Sequence, residues 1–260
     1  MPPKDDLLEV IQSAIKPASL KEKSVIIITS KVVSIWQGRC LAMEKYPDQD
    51  GKDKLVAQEA DFYIPREEVP GAWCIQTIKN NILIPSAGID ESNANGHYIL
   101  WPRDPQNTAK QLWQLLRKTY RVKKLGVIIS DSHTIPLRRG VLGISLAHYG
   151  FAPLKDYRDQ SDIFGRHLKM TQTNIADGLA AAGVVLMGEG SERTPIAIVE
   201  DVPWIKFVSR PVQSKRPFSS FEIQTREDLY YPLIKGVNWQ KGGGGKMNRG
   251  ISQKKSIMKK

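Results

Sequence analysis

Four short apolar runs constrain this chain more than any other feature. Val25-Ile26-Ile27-Ile28, Ile82-Leu83-Ile84, Gly126-Val127-Ile128-Ile129 and Ile196-Ala197-Ile198-Val199 have strand length, and three of the four are rich in β-branched residues. Apolar on both faces, such runs read as strands buried on both sides. Strands of that kind need covers, and helical periodicity lies between them. Lys4 to Ile15 places Leu7, Leu8, Val10, Ile11, Ala14 and Ile15 at helical spacing, and Pro17 ends it. Asn107 to Tyr120 puts Leu112, Trp113, Leu115, Leu116 and Tyr120 on one face, with Asn107 or Thr108 as N-cap. Thr173 to Met187 carries Ala180-Ala181-Ala182, which suits close packing, and stops at Gly188-Glu189-Gly190. The polar stretch Lys45 to Asp53 reads as a loop. Interleaving of this kind predicts an α+β (mixed α/β) fold rather than a bundle or a sandwich.

The composition, 41% hydrophobic and 25% charged with a mean hydropathy of −0.34, excludes a disordered chain, a collagenous fibre and a membrane-embedded protein. The net charge of +11 suggests a nucleic-acid partner until it is located. Residues 241–260 hold seven Lys or Arg and no acid, leaving +4 for residues 1–240. The expected organisation is therefore a domain over 1–240, with Phe218, Phe221, Tyr230, Tyr231 and Trp239 docking its last part. A flexible Gly242–Gly245 linker and a basic, disordered tail would fill 241–260. Such a tail suits contact with nucleic acid or an anionic surface, and equally a solubilising end. Cys40 and Cys74 are too few for a disulfide framework, and Met1 to Asp6 has no signal-peptide core. The longest apolar run, near residues 179–189, is about half a membrane span. A reduced, cytoplasmic protein without a membrane span is expected.

Acids stand at the ends of the buried runs. Asp90 follows Ile82–Ile84, Asp131 follows Val127–Ser130, and Glu189 sits between two glycines after a helix. Carboxylates beside glycines are how a hard divalent cation and a phosphate are commonly held, although acids also end strands simply as caps. Gly188-Glu189-Gly190-Ser191 could bind phosphate or merely cap its helix. Gly242 to Lys246 is not a P-loop: Gln240 stands where its first glycine belongs, and Met247 where Ser or Thr should be. The four histidines lack paired zinc spacing, and only His133 lies beside one of these acids. Ser130 and Ser132 lack a nucleophile elbow. Arg138-Arg139 could grip a carboxylate or phosphate, or form a surface pair.

Five segments in order resemble the coenzyme F420 gamma-glutamyl ligase family. They are Thr29-Ser30-Lys31-Val32-Val33-Ser34 with Gly38-Arg39; Ala87-Gly88-Ile89-Asp90-Glu91-Ser92-Asn93; Ile128-Ile129-Ser130-Asp131-Ser132; Asp162 to Leu168 with Thr171, Ala176 and Asp177; and Met187-Gly188-Glu189-Gly190. Residues 60–67, Ile78 to Pro85 and Trp101-Pro102 are most similar to a branch described as a folate-metabolism gamma-glutamate ligase. The resemblance implies a ligase joining the amine of L-glutamate to an acceptor carboxylate, a deazaflavin or a folate, through an acyl phosphate made from GTP. It also implies an intertwined homodimer. By the family pattern Asp90, Asp131, Ser132 and Glu189 would hold Mg²⁺ or Mn²⁺, two ions in all. Ser30, Lys31, Asn93, Met187, Gly188, Gly190 and Ser191 would contact nucleotide. Apart from that pattern, Arg138, Arg139 and Arg166 are expected to orient carboxylates or phosphate, acting with Asp131 as the catalytic groups. Three positions depart from the pattern. Ile35 stands where a nucleotide-contacting Lys is usual, His133-Thr134-Ile135 replaces a Gly-Arg approach to the acceptor, and the family's first strand is missing or reduced before Asp5-Asp6. A ligase-like protein that has lost catalysis and binds nucleic acid or anionic surfaces through its tail is the alternative.

Overall fold

Val25 to Ile28 are wholly excluded from solvent, and their side chains divide between two faces. Ile26 and Ile28 join one apolar cluster, Val25 and Ile27 another, so this strand lies between two helical layers. The computed structural model describes residues 1–16, 20–208 and 222–246. In chain order these form α1 (Leu7–Ala14), β1 (Ser24–Thr29), α2 (Ser30–Trp36), β2 (Cys40–Ala42), α3 (Gln49–Glu59), β3 (Phe62–Ile64), β4 (Gln76–Lys79), β5 (Ile82–Pro85), β6 (His97–Ile99), α4 (Pro105–Tyr120), β7 (Leu125–His133), β8 (Leu142–Tyr149), β9 (Leu154–Asp156), β10 (Gln172–Asn174), α5 (Ile175–Met187), β11 (Ile196–Val199), α6 (Tyr231–Lys235) and β12 (Gln240–Lys241). The fold is mixed α+β, as the interleaved pattern predicts.

The main sheet has the order β11-β1-β7-β8, with β1 parallel to β7 and the outer strands antiparallel. Leu7 and Ile11 of α1 and Leu112, Trp113 and Leu116 of α4 cover one face; Ala176, Ala180 and Val184 of α5 cover the other. Each large aliphatic side chain so buried contributes roughly 1.5–3 kcal/mol. A second sheet, β12-β3-β4-β5, is wholly antiparallel. Ile84 of β5, Ile144 of β8 and Trp101 form a small buried cluster that joins the two sheets.

Several local expectations are corrected. The polar stretch from Lys45 is not all loop, because Asp48 accepts from the Gly51 amide at 2.7 Å and starts α3 inside it. Helix α4 begins at Pro105 rather than Asn107. Its N-cap is Asp104, whose carboxylate takes the Asn107 amide at 3.2 Å, and proline fits the first helical position. Strand β7 runs on through Ser130–His133 instead of ending before them. Ile35, in α2, packs with Ala94 and Ile99, which is why no lysine could stand there unchanged.

The largest correction concerns the glycine run. Gly242–Gly245 is not a flexible linker: its amides donate to Asp61 O, Ala57 O, Ala60 O and Gln58 O at 2.8–2.9 Å. Three of those carbonyls lie at the end of α3, where a helix leaves acceptors unsatisfied. Only glycine allows the approach, since a Cβ at Gly243 would come within 2.6 Å of Gln58 O. The boundary expected after residue 240 thus falls inside packed structure. The tail beyond Lys246, with Phe218, Phe221 and Pro17, lies outside the described residues. Tyr230 is 63% exposed and docks poorly, while Trp239 donates its indole N–H to Ile234 O at 2.8 Å.

Candidate functional site

Asp131 reaches the site because β7 does not stop at Ile129. A register irregularity between Ile129 and Ser130 separates its two pairings with β8, and such bulges re-aim side chains. The Asp131 carboxylate accepts the Ser132 amide at 2.9 Å and the indole N–H of Trp101. Trp101 fits there because Gly88, at φ +67°, has no Cβ; one would overlap the indole nitrogen.

Asp90 arrives from the other side. Its backbone pairs with Ile99 in both directions, at 3.0 and 2.8 Å, which fixes the carboxylate. One oxygen takes the Ser92 amide and hydroxyl, both at 2.8 Å; the other pairs with Lys31 Nζ at 2.7 Å. Lys31 lies in the first turn of α2, directly after β1, and also donates to Ser92 O at 2.9 Å. Glu189 follows the end of α5, where Gly188 at φ +77° takes the chain out of the helix. Ser132 Oγ donates to Glu189 at 3.3 Å, and Asn93 Nδ2 donates to Gly190 O at 2.7 Å. The segments around Asp90, Asp131 and Glu189 are therefore tied together by direct bonds.

These carboxylates are electrostatically uncomfortable. Burial pushes Asp131 up to about 7; the Trp101 and Ser132 N–H groups and the Ser30 hydroxyl pull it down, while Asp90 pushes it further up. Burial likewise raises Glu189, against the Ser132 hydroxyl and Lys31, with Asp90 and Glu192 adding to the rise. Lys31 is the ammonium that pairs with Asp90 and pulls Glu189 down. Among the described residues no three His, Cys, Asp or Glu side chains are arranged so that they could hold a metal ion. Beside them, Gly190 donates its amide to the Glu192 carboxylate at 2.8 Å, and that carboxylate also fills the space above Gly188. An anion thus already sits in the glycine loop.

The family model for F420-0:gamma-glutamyl ligase matches residues 1–201, a span that contains every one of these groups. The chain belongs to the F420-0:gamma-glutamyl ligase family. It is 33% identical over 210 residues to the coenzyme F420:L-glutamate ligase of Methanopyrus kandleri, covering 75% of this chain and 81% of that relative. It is 35% identical over 194 residues to the enzyme of that name from Methanococcus maripaludis strain C6, covering 71% and 78%. With the Archaeoglobus fulgidus enzyme of the same name it shares 32% over 206 residues, covering 75% and 81%. By family this chain is an enzyme of the ligase class.

In this gamma-glutamyl ligase the structure brings Ser30, Lys31, Asp90, Asn93, Asp131, Ser132, Glu189 and Gly190 together, with Gly188 and Ser191 in the same exposed loop. Met187 is different: it closes α5, and its side chain is buried in the cluster that holds Val25 and Ile27, leaving only backbone for a ligand. Arg138, Arg139 and Arg166 stand exposed on loops and bond to none of the three carboxylates. His133 lies at the end of β7 with its pKa lowered by burial. Both cysteines are free, and burial raises both thiols, so neither is poised as a nucleophile. Sequence reasoning missed Ser92, Glu192 and Trp101 as site residues. Trp101-Pro102 was visible only as part of a likeness, and no spacing links residue 101 to residue 131. No helix among the described residues is long and apolar enough to cross a membrane.

Proposed function

We propose that the chain joins the amine of L-glutamate to an acceptor carboxylate as a gamma-linked amide, consuming GTP with Mg²⁺ or Mn²⁺, two ions in all. The observation that supports this is that direct bonds tie the segments of Asp90, Asp131 and Glu189 to one another, with Lys31 on Asp90, beside a glycine loop that holds the Glu192 carboxylate; the three acids do not stand as a ready-made ligand group.

The donor set fits a hard cation in its chemistry: three carboxylates and the Ser132 hydroxyl, all oxygen, with two of the acids held up in pKa. Lys31, now paired with Asp90, supplies one positive charge and would turn toward phosphate when a cation arrives. Such a cation would offset the charge on the phosphate oxygens during transfer. The acceptor carboxylate oxygen attacks the γ-phosphorus of GTP, the bond to the β–γ bridging oxygen breaks, and GDP departs with the electron pair. The glutamate amine then attacks the acyl carbon of the acyl phosphate. The carbon–oxygen bond to phosphate breaks, inorganic phosphate leaves, and the nitrogen gives its extra proton to water. Asn93 and Gly190 hold the two phosphate-side loops in register, and the Gly188–Gly190 turn offers backbone amide in place of Glu192. The relatives' names favour the F420 deazaflavin over folate as acceptor.

Calorimetric titration with GDP, with and without Mn²⁺, tests the nucleotide half. Micromolar binding (about −8 kcal/mol) should require the metal, and D90N should weaken it at least tenfold. Metal-independent binding, or equal binding by D90N, would remove the assignment.

A further inference from the structure

A cavity of about 820 Å³ lies apart from Asp90, Asp131 and Glu189, none of which lines it. Its floor is one face of the second sheet. Lys241 of β12 stands opposite Phe62 of β3, and Phe62 opposite Ile78 of β4, so the three form a cross-strand row, and all three line the cavity. More wall comes from Tyr231, Ile234 and Lys235 of α6 and from Trp239 beyond it. Trp239 gives its indole N–H to Ile234 O, so what it offers the cavity is its ring. Phe62 is 43% exposed although wholly apolar, and Tyr231 and Trp239 are half-buried. Three aromatic side chains therefore border open space, and such rings gain by stacking on a flat ligand.

The charge of the lining is one-sided. Arg226, Lys235, Lys241 and Lys246 are four cations against two acids, Asp61 and Glu222. Asp61 accepts the Asn80 backbone amide at 2.7 Å, and Glu222 has a partner of its own. Among the described residues none of the four cations makes an ion pair or a side-chain hydrogen bond. The Asn80 side-chain amide, on the two-residue turn between β4 and β5, is equally unengaged, which leaves a donor and an acceptor exposed in the lining. Segments that adjoin this wall in sequence bring no anion to it. Residues 209–221 carry Arg210, Lys215 and Arg216, residues 247–260 carry five more cations, and neither segment holds an acid.

We infer that this cavity binds a planar heteroaromatic ring bearing a phosphate or a carboxylate. The ring lies against Phe62, Tyr231 and Trp239, its polar edge meets the Asn80 amide, and its anionic group meets the lysines at the rim. The volume suits a ligand of nucleotide or flavin size. The inference does not rest on the ligase reading, because residues 222–246 supply most of the lining and follow the family-matched span 1–201.

Titration of the full-length protein with FMN and with riboflavin, which differ only in the phosphate, tests it through flavin fluorescence. FMN should bind saturably, and riboflavin at least tenfold more weakly. K235E combined with K241E reverses two exposed charges; it should weaken FMN at least tenfold and leave riboflavin unchanged. F62A removes a stacking surface and should weaken both flavins alike. Saturating GDP with Mn²⁺ should displace neither. No saturable FMN binding would leave the cavity to the chain's own segments or to a second copy, and overturns the proposal. FMN binding untouched by the charge reversal overturns it as well, as does displacement of FMN by GDP, which would put the flavin at the carboxylate site.

Discussion

Asp131 shows how burial can hold a single carboxyl in its protonated form. Its carboxyl titrates near 7 in the fold against 3.8 in the unfolded chain, so the fold favours the protonated form. That contribution to stability is complete below about pH 4 and is lost as pH rises through about 7. D131N cannot ionise yet can still accept from Trp101 and Ser132. In chelator-treated protein, wild-type stability should fall by about 2 kcal/mol more than that of D131N between pH 5 and 7, a divergence of about 4–8 °C in Tm. Parallel melting curves across that range would show that Asp131 ionises freely. The acid type and its place after a buried run were legible in the sequence, as were Asp90, Glu189 and Lys31. The arginines were not. Arg138, Arg139 and Arg166 have the right chemistry, but residue type does not say where an exposed loop points.

Among the elements, α3 is the one least visible beforehand. Its residues are mostly polar, and only Leu55, Val56 and Glu59 are buried, so no apolar stripe announces it. What makes it a helix is its two ends: Asp48 at the start, and the amides of Gly243, Gly244 and Gly245 at the finish. Its last residue, Glu59, places a negative charge at the negative end of the helix dipole, and Arg39 and Lys79 offset it. A chain ending at Lys246 keeps all four glycine amide bonds, whereas one ending at Gln240 loses them. At about 1 kcal/mol net per bond, the shorter chain should be less stable by about 2–4 kcal/mol. Urea denaturation of the two truncations measures this, and equal midpoints would show that the glycines do not cap α3. By contrast β1, β7 and α5 were legible, because burial on both faces and close helical packing leave strong patterns. Strands β3, β4 and β8 were not: half-buried strands of three to eight residues with mixed composition look like loops.

Across the whole molecule, protection is uneven. The main sheet is sealed between α1 and α4 on one side and α5 on the other, while the β9–β10 ribbon carries Ile163, Phe164 and Met170 in solvent on the loop between its strands, each more than four-fifths exposed. Amide hydrogen exchange should be slowest over Val25–Ile28 and Val127–Ile129 and fastest over residues 157–171, with the second sheet between them. Equal protection in the ribbon and the main sheet would require a cover for the ribbon. The mixed α+β class was legible because it follows from alternation. The second sheet was not, since its edge strand β12 and the carbonyls that hold its neighbours are separated by some 180 positions.

That separation has a temporal meaning. Synthesis delivers the chain from its N-terminus. Residues 49–59 emerge early, with Arg39 already made and Lys79 soon to follow, yet the amides that finish α3 belong to Gly243–Gly245. The nascent chain must therefore carry an unfinished helix end while the residues between Glu59 and Gly243 are made. Helix α3 is completed only after residue 245 has left the ribosome, so the fold is sealed there by a segment made long after the helix itself.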